Sequence, residues 1–288
     1  MTALEVVEPG LRTLVQDAGR PGWAHVGVGR SGAADLDALR LANRLVANPQ
    51  DAAGLEVLLG GLRLRALGPV TVALAGAPVA VWVDRVRVGM HAPVEVSEGA
   101  VLRVGAPVRG LRTYVAVRGG VAVPEVLGSR STDLPAGLGP SPVRVGDVLP
   151  VGPSPASLPF VDVAAVRPRA DEAVLPVLPG PRADWFVEDA LAVLCGAVRY
   201  QVTPASDRVA LRLEGPVVRR APRTAGRELP SEGLVPGAVQ VPPDGRPVVF
   251  GVDHPVTGGY PVVAVVRSCA LGLLGQLRPG EPVRFVRG

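Results

Sequence analysis

Two stretches in the N-terminal half of the 288-residue chain carry dense sets of groups able to handle an anion. In the first, Gln16, Asp17, Gly19, Arg20 and Gly22 are followed by Gly27, Gly29, Ser31, Gly32 and Asp35. Glycine at that density lets backbone N–H groups approach a carboxylate or phosphate closely, and the run leads into a helix start, whose dipole favours negative charge. Arg20 would add a bidentate clamp. The same residues describe a structural loop in which Asp17 and Arg20 pair with each other, and spacing alone favours that simpler reading. The second stretch, Gly128-Ser129-Arg130-Ser131-Thr132-Asp133, puts three hydroxyls, a guanidinium and a carboxylate on consecutive positions. Anion recognition and a capped turn are both open for it.

The C-terminal half offers a different set. Alternation along Arg208–Glu214 predicts Arg208, Arg212 and Glu214 on one strand face, with Leu211 and Leu213 toward a core. Gln240, between Val239 and Val241, is expected to point its amide out of a barrel wall into a cleft. Asp253 and Tyr260 place a carboxylate and a phenol beside Gly258-Gly259, and Glu232 follows Ser231 in a short polar run. Arg219, Arg220, Arg223 and Arg227 form a basic stretch with little acid nearby, readable as a solvated loop or as a docking strip for an acidic partner.

Composition closes off several chemistries. The sequence contains no lysine and no isoleucine, so its 30 basic residues are all arginine. Schiff-base catalysis, a P-loop lysine and a lysine general base are therefore excluded from these residues. Ser31, Ser131 and Ser231 lack a Gly-x-Ser-x-Gly elbow, and His25, His91 and His254 have no evident companions, His91 reading as an ordinary surface histidine. Cys195 and Cys269 fit neither a disulfide framework nor a metal-ligand spacing. With aromatics at 3% and a net charge of +4, nucleic-acid binding is disfavoured. The apolar run Pro69 to Val83 is too short for a bilayer span and the N-terminus is acidic, so no membrane association and a cytoplasmic protein are expected.

The elements that must position these groups are mostly strands. Gly 36 and Pro 31 punctuate the chain too often for long helices. Short apolar or alternating runs predict strands at Leu4–Val7, Val70–Ala75, Val79–Val83, Val94–Val96, Val101–Val104, Thr113–Val117, Val161–Val163, Val174–Leu178, Arg208–Leu213, Val248–Val252 and Val262–Val266. Helices are predicted at 35–46, with Asp35 as N-cap and Asn43 on its repeat, at 183–194 and at 270–277. A proline cluster between Pro150 and Pro168 suggests a linker, dividing the chain into domains of 1–160 and 161–288. Arg144–Leu149 and Arg278–Val283 echo each other as a Gly-acid turn feeding a strand, and Arg118–Val121 echoes Thr257–Tyr260. A duplicated β domain accounts for both echoes.

Taken together, the motifs resemble one family. The runs Val15-Gln16-Asp17-x-Gly19-Arg20-x-Gly22, Ser31-Gly32-Ala33-x-Asp35, Leu55-Glu56-Val57, Gly128–Asp133, Pro179-Gly180-Pro181, Ser206-Asp207-Arg208, Gly237-x-x-Gln240-Val241-Pro242 and Thr257–Pro261 are similar to the carboxyltransferase-type family. Its members include the C-type subunit of 5-oxoprolinase, allophanate hydrolase subunit 2 and the carboxyltransferase region of urea carboxylase. The resemblance implies a mainly β protein of two tandem cyclophilin-like β-barrel domains with a few short helices. It further implies one subunit, inactive alone, of an ATP-dependent 5-oxoprolinase complex that hydrolyses 5-oxo-L-proline to L-glutamate with B-type and A-type partner subunits. Biotin-dependent carboxyl transfer is the alternative, and a non-catalytic regulator binding a kinase-inhibitor-type partner is a second. On motif position and residue chemistry, Asp17, Arg20, Arg130, Glu232, Asp253 and Tyr260 become the candidate catalytic groups. Asn43, Ser131, Thr132, Arg208, Arg212 and Gln240 become the candidate substrate contacts, with no metal. The chain departs from the family pattern at His254-Pro255-Val256, at Ser268-Cys269-Ala270 and in the shortened run Gly137–Pro140.

Overall fold

The computed structural model describes residues 2–288 and is mainly β. Its contacts divide the chain into two compact units, one of Met1–Pro21 with Ser31–Pro168 and one of Gly22–Arg30 with Arg169–Gly288. The short excursion Gly22–Arg30 carries no compositional signal that would have assigned it to the second unit.

The first unit holds β1 (Ala3–Pro9), β2 (Arg12–Gln16), α1 (Leu36–Leu45), β3 (Gly54–Leu58), β4 (Leu62–Ala66), β5 (Val70–Gly76), β6 (Val81–Val83), β7 (Val86–Val88), β8 (Val94–Val96), β9 (Val101–Val104), β10 (Arg112–Val117) and β11 (Val148–Pro150). They form a six-stranded sheet, β11-β1-β4-β9-β6-β7, and a five-stranded sheet, β2-β3-β10-β5-β8. Alternation explains how the two sheets pack. Val72, Leu74, Val115 and Val117 join Leu4, Val6, Leu64 and Leu102 of the other sheet in one core. Ala73, Ala75, Tyr114 and Ala116, on the opposite face, meet Leu39, Ala42 and Leu45 of α1. Alanines under the helix let it approach closely, and β10, with both faces covered, is buried along its whole length. Asp35 caps α1 as predicted, its Oδ1 accepting from the Ala38 N–H at 3.1 Å.

The second unit holds β12 (Ala173–Pro179), α2 (Ala190–Leu194), β13 (Tyr200–Val202), β14 (Ala210–Glu214), β15 (Glu232–Gly233), β16 (Ala238–Gln240), β17 (Val248–Phe250), β18 (Thr257–Gly258), β19 (Val262–Val266), α3 (Leu271–Leu274) and β20 (Pro282–Arg287). Seven of its strands close a barrel, β12-β19-β16-β17-β14-β13-β20, through the parallel pairing of β12 with β20. Closure leaves that barrel without free edges. Leu175, Leu211, Val239, Val249, Val263 and Phe285 fill its interior.

Several sequence expectations change. The run at 183–194 is two pieces, a 3-10 turn at Ala183–Trp185 and then α2, because Phe186 adopts extended backbone between them. The helix at 270–277 shrinks to α3 after a 3-10 turn at Ser268–Ala270. Val161–Val163 is not a strand but exposed chain, its hydrophobicity spent on no partner strand. Of the two echoes, the Gly-acid turn recurs in conformation: Gly146 and Gly280 both have φ of +84°, and Asp147 and Glu281 accept from the backbone N–H of Arg144 and Arg278. The strands they feed pair differently, β11 with β1 alone and β20 with both β12 and β13. Arg118–Val121 and Thr257–Tyr260 do not correspond, since only the first carries left-handed glycines.

His91 is not an ordinary surface histidine. It is half-buried in left-handed backbone, its N–H donates to the Leu74 carbonyl at 2.9 Å, and its carbonyl accepts from Ala164 N–H at 2.8 Å. Burial lowers its pKa from the ordinary 6.5. The unfolded chain thus takes up the proton more readily, so stability held above pH 6.5 is lost as pH falls from there through the folded-state value. In thermal unfolding, the drop in Tm between pH 7.5 and 5.5 is expected to be smaller for His91→Asn, which tolerates the same backbone, than for the parent; an equal drop refutes the assignment.

Candidate functional site

In the first unit the two motif stretches converge on one carboxylate. Asp17 lies just past β2, and its side chain accepts from Gly19 N–H at 2.8 Å, Ser129 Oγ at 2.6 Å, Arg130 N–H at 2.6 Å and Ser131 Oγ at 2.5 Å. Four donors are what a buried carboxylate needs to replace its water shell. Arg20, 1% exposed, donates to Asp133 Oδ2 at 3.4 Å and to the Ser131 carbonyl. The sequence alternative of an Asp17–Arg20 pair is therefore replaced by two crossed partnerships between the same loops. Gly139, at φ +76°, completes the packing, because a Cβ there would collide with the Ser131 carbonyl oxygen. Thr132 contributes mainly backbone, its N–H donating to Val15 and its carbonyl accepting from Gln16 Nε2.

These groups face inward and hold the loops together. Arg130 is the member that reaches outward: its Nε donates to the Val123 carbonyl at 2.8 Å and its Nη1 pairs with half-exposed Glu125 at 2.6 Å. Asn43 stands apart from this network. Its Nδ2 donates to the carbonyls of Gln50 and Ala52 and its Oδ1 accepts from Asn48, which ties the end of α1 to the following loop. Glu56, absent from the sequence-level candidates, accepts from Arg112 Nε, Tyr114 Oη and Ala34 N–H. Burial, then the Glu56 charge, pushes the Tyr114 phenol well above its usual value, so it stays a donor to Glu56 while accepting from Asp35 N–H at the start of α1.

In the second unit, Arg208 and Asp253 make a buried bidentate pair with distances of 2.7 and 3.0 Å. Here the predicted strand face holds for Arg212 and Glu214, with Leu211 and Leu213 in the core, but not for Arg208. β14 begins at Ala210, so Arg208 precedes it and turns inward, whereas Arg212 and Glu214 remain exposed with Glu214 beside Arg246. Gln240 is also turned in. Its Nε2 donates to the Tyr260 carbonyl at 2.8 Å and lies against Gly258, where a Cβ would come within 2.7 Å of that nitrogen.

A part-exposed polar group of this unit lies around that glycine turn. β15 pairs with β18, setting Glu232 opposite Gly258, and Ser231 Oγ approaches Gly259. Glu232 receives both Nε and Nη2 of Arg182, a residue sequence reasoning missed although it directly follows the quoted Pro179-Gly180-Pro181 run. Tyr260 is 46% exposed at the end of the turn. Hydrogen bonding to Arg182 holds Glu232 below the usual carboxylate range, and the same contact raises Arg182. A carboxylate so held is a poor proton acceptor. Its service is to orient a guanidinium whose planar fork suits a ligand carboxylate or phosphate. His254, at the first departure from the family pattern, is buried, with Nδ1 2.7 Å from the Pro255 carbonyl and its ring edge-on to Phe250.

The sequence profile of the carboxyltransferase domain, subdomain A and B, matches residues 26–287. The chain belongs to that family. This carboxyltransferase domain is 36% identical to the C-type subunit of 5-oxoprolinase from Escherichia coli over 99% of its own length and 91% of the relative's. It is 33% identical to the urea amidolyase of Lachancea kluyveri, covering 99% of this chain but 17% of that protein. Among solved structures, the Kluyveromyces lactis urea carboxylase superposes with a TM-score of 0.90 at 32% identity, over 99% of this chain and 27% of the other. Among the described residues, no helix is long and apolar enough to cross a membrane.

Separating inward from outward groups gives a direct test. Asp17→Asn places an amide N–H against existing donors and should lower stability by about 2 to 4 kcal/mol, judged from the strength of hydrogen bonds to charged groups. Arg212→Ala, on an exposed position, should leave the urea unfolding midpoint within error of the parent. Equal midpoints for both variants contradict the inward role of Asp17.

Proposed function

We propose that this chain is the C-type subunit of an ATP-dependent 5-oxoprolinase, inactive alone and completed by B-type and A-type partners. The observation that carries this reading is the 36% identity to a 5-oxoprolinase C-type subunit, spanning 91% of that protein. A lactam resists direct attack by water, so ATP activates the carbonyl before water adds and the ring C–N bond breaks. The sequence has no lysine for a P-loop, so phosphate handling on this chain rests on arginine and backbone N–H groups. Arg182, aligned by Glu232, is the group suited to hold the substrate carboxylate, and exposed Tyr260 and Ser231 can donate to its oxygens. Asp17, Arg20, Ser131, Thr132, Asn43 and the Arg208–Asp253 pair serve as the frame. The work is placed inside the cell, where ATP is supplied.

Biotin-dependent carboxyl transfer is the second reading, favoured by the 33% identity to a urea amidolyase. With no lysine in this sequence, the biotinylated lysine would belong to a partner segment. Regulation of a kinase-inhibitor-type partner predicts a tight complex without turnover.

Co-expression with the products of neighbouring genes and measurement of glutamate released from 5-oxoproline with ATP separates the three. The complex is expected to turn over the lactam, and Arg182→Gln to reduce kcat/KM by about 100-fold, the scale of a lost positioning contact, with little change in Tm. Turnover that needs a biotinylated partner and bicarbonate favours the second reading, and activity indifferent to Arg182→Gln together with Tyr260→Phe refutes the site.

A further inference from the structure

Gln240 carries an amide with one end anchored and the other open. The residue is 4% exposed and lies on β16, where the pairing register with β19 shifts between Val239 and Gln240. An irregularity of that kind re-aims a side chain out of the regular alternation of a strand. Its Nε2 donates to the Tyr260 carbonyl at 2.8 Å, and because a carbonyl can only accept, the contact decides which end of the amide is nitrogen and which is oxygen. The other end, Oε1, has no hydrogen-bond partner among the described residues. Gln16 Oε1, Thr132 Oγ1 and Tyr200 Oη also lack one, but those atoms are sealed from solvent and Gln240 Oε1 is not among them. A side chain otherwise more than nine-tenths buried thus offers a single fixed acceptor to whatever enters beside it.

Gly258 places that acceptor. A Cβ added there would point to within 2.7 Å of Gln240 Nε2 and 2.8 Å of Leu234 Cδ1. Glu232 stands directly opposite Gly258 in the β15–β18 pair, and directly opposed residues project their side chains from the same face of the ribbon. Glu232, the Arg182 guanidinium it receives and the Gln240 amide therefore flank one face of one turn.

We propose, resting on the reading of this turn as the substrate site, that Gln240 Oε1 accepts an N–H of the bound substrate, so that the site selects a small carboxylate carrying an amide N–H. In 5-oxoproline the ring nitrogen is bonded to the carbon that bears the carboxylate. One face of the turn can then meet both groups, the carboxylate on Arg182 and the N–H on Gln240. The same nitrogen carries hydrogen before and after ring opening, as the lactam N–H and as the amine of glutamate, so Gln240 keeps its partner throughout. Gly258 serves the same end, since a side chain there would displace the amide. An acceptor built for an N–H discriminates against an analogue lacking it, because that acceptor then loses its water and gains no partner.

The test measures equilibrium binding to the co-purified complex by calorimetry. The probes are 5-oxo-L-proline, the cyclopentanone carboxylate in which CH2 replaces the ring N–H, and urea. The parent is expected to bind 5-oxoproline about tenfold or more tightly than the ketone, the scale of one hydrogen bond. Gln240→Met, close in volume but without the acceptor, should lose about tenfold for 5-oxoproline and leave the ketone unchanged. Arg182→Gln should weaken both. A merely structural role for Gln240 would weaken the two ligands together, so an equal loss of both in Gln240→Met overturns the proposal. Equal affinity of the parent for the two ligands overturns it without any variant. Failure of 5-oxoproline to bind refutes the lactam reading instead. The assignment to Gln240 then stands only if urea, with N–H donors and no carboxylate, binds and weakens about tenfold in Gln240→Met, and it falls if urea is ignored or indifferent to the substitution.

Discussion

The first unit depends on the Asp17 carboxylate. Its four donors come from its own loop and from Ser129, Arg130 and Ser131, more than a hundred residues further along the chain. A buried carboxylate costs several kcal/mol unless its oxygens are fully engaged, so the two loops are held to one geometry or the group is stranded. Arg20 applies the same constraint in the opposite sense, a buried cation satisfied by Asp133 and by a carbonyl of the same hydroxyl-rich loop. The crossed pairs explain why a run rich in glycine, which alone would sample many conformations, is ordered.

The second unit meets a different constraint. Barrel closure through the parallel β12–β20 pair satisfies the strand edges, and the interior is apolar enough that polar groups are pushed to the turns. Arg208 with Asp253 is a buried ion pair, and its bidentate geometry is the arrangement in which such a pair can offset desolvation. Arg182 with Glu232 has the same chemistry at a part-exposed position, the side chains 38% and 31% exposed, where such a pair holds little stability. The contrast between these two arginine–carboxylate pairs is one of burial, not of residue type.

Membership of the carboxyltransferase domain family joins two kinds of relative, one a separate polypeptide of nearly equal length and the other a segment of a much longer protein. With no lysine in the sequence, chemistry that requires a side-chain primary amine lies outside these residues.

Local pattern was enough for what local physics governs. Short apolar or alternating runs located β1, β5, β8 to β10, β12 and β19, and Asp35 marked the start of α1 through its capping hydrogen bond. Strands too short or too broken for periodicity, such as β7, β13 and β15, were not legible, since two or three residues acquire strand geometry only from the neighbour they pair with. The sequence by itself determined the inventory: a mainly β chain, arginine as its only strong cation, and the motifs of its family. Only the tertiary structure decided which of those motif residues are frame and which are accessible. Burial and partner choice arise from contacts between segments far apart in the chain, as when Arg208 leaves the predicted strand face for Asp253 and Arg182, outside every predicted set, emerges beside Glu232.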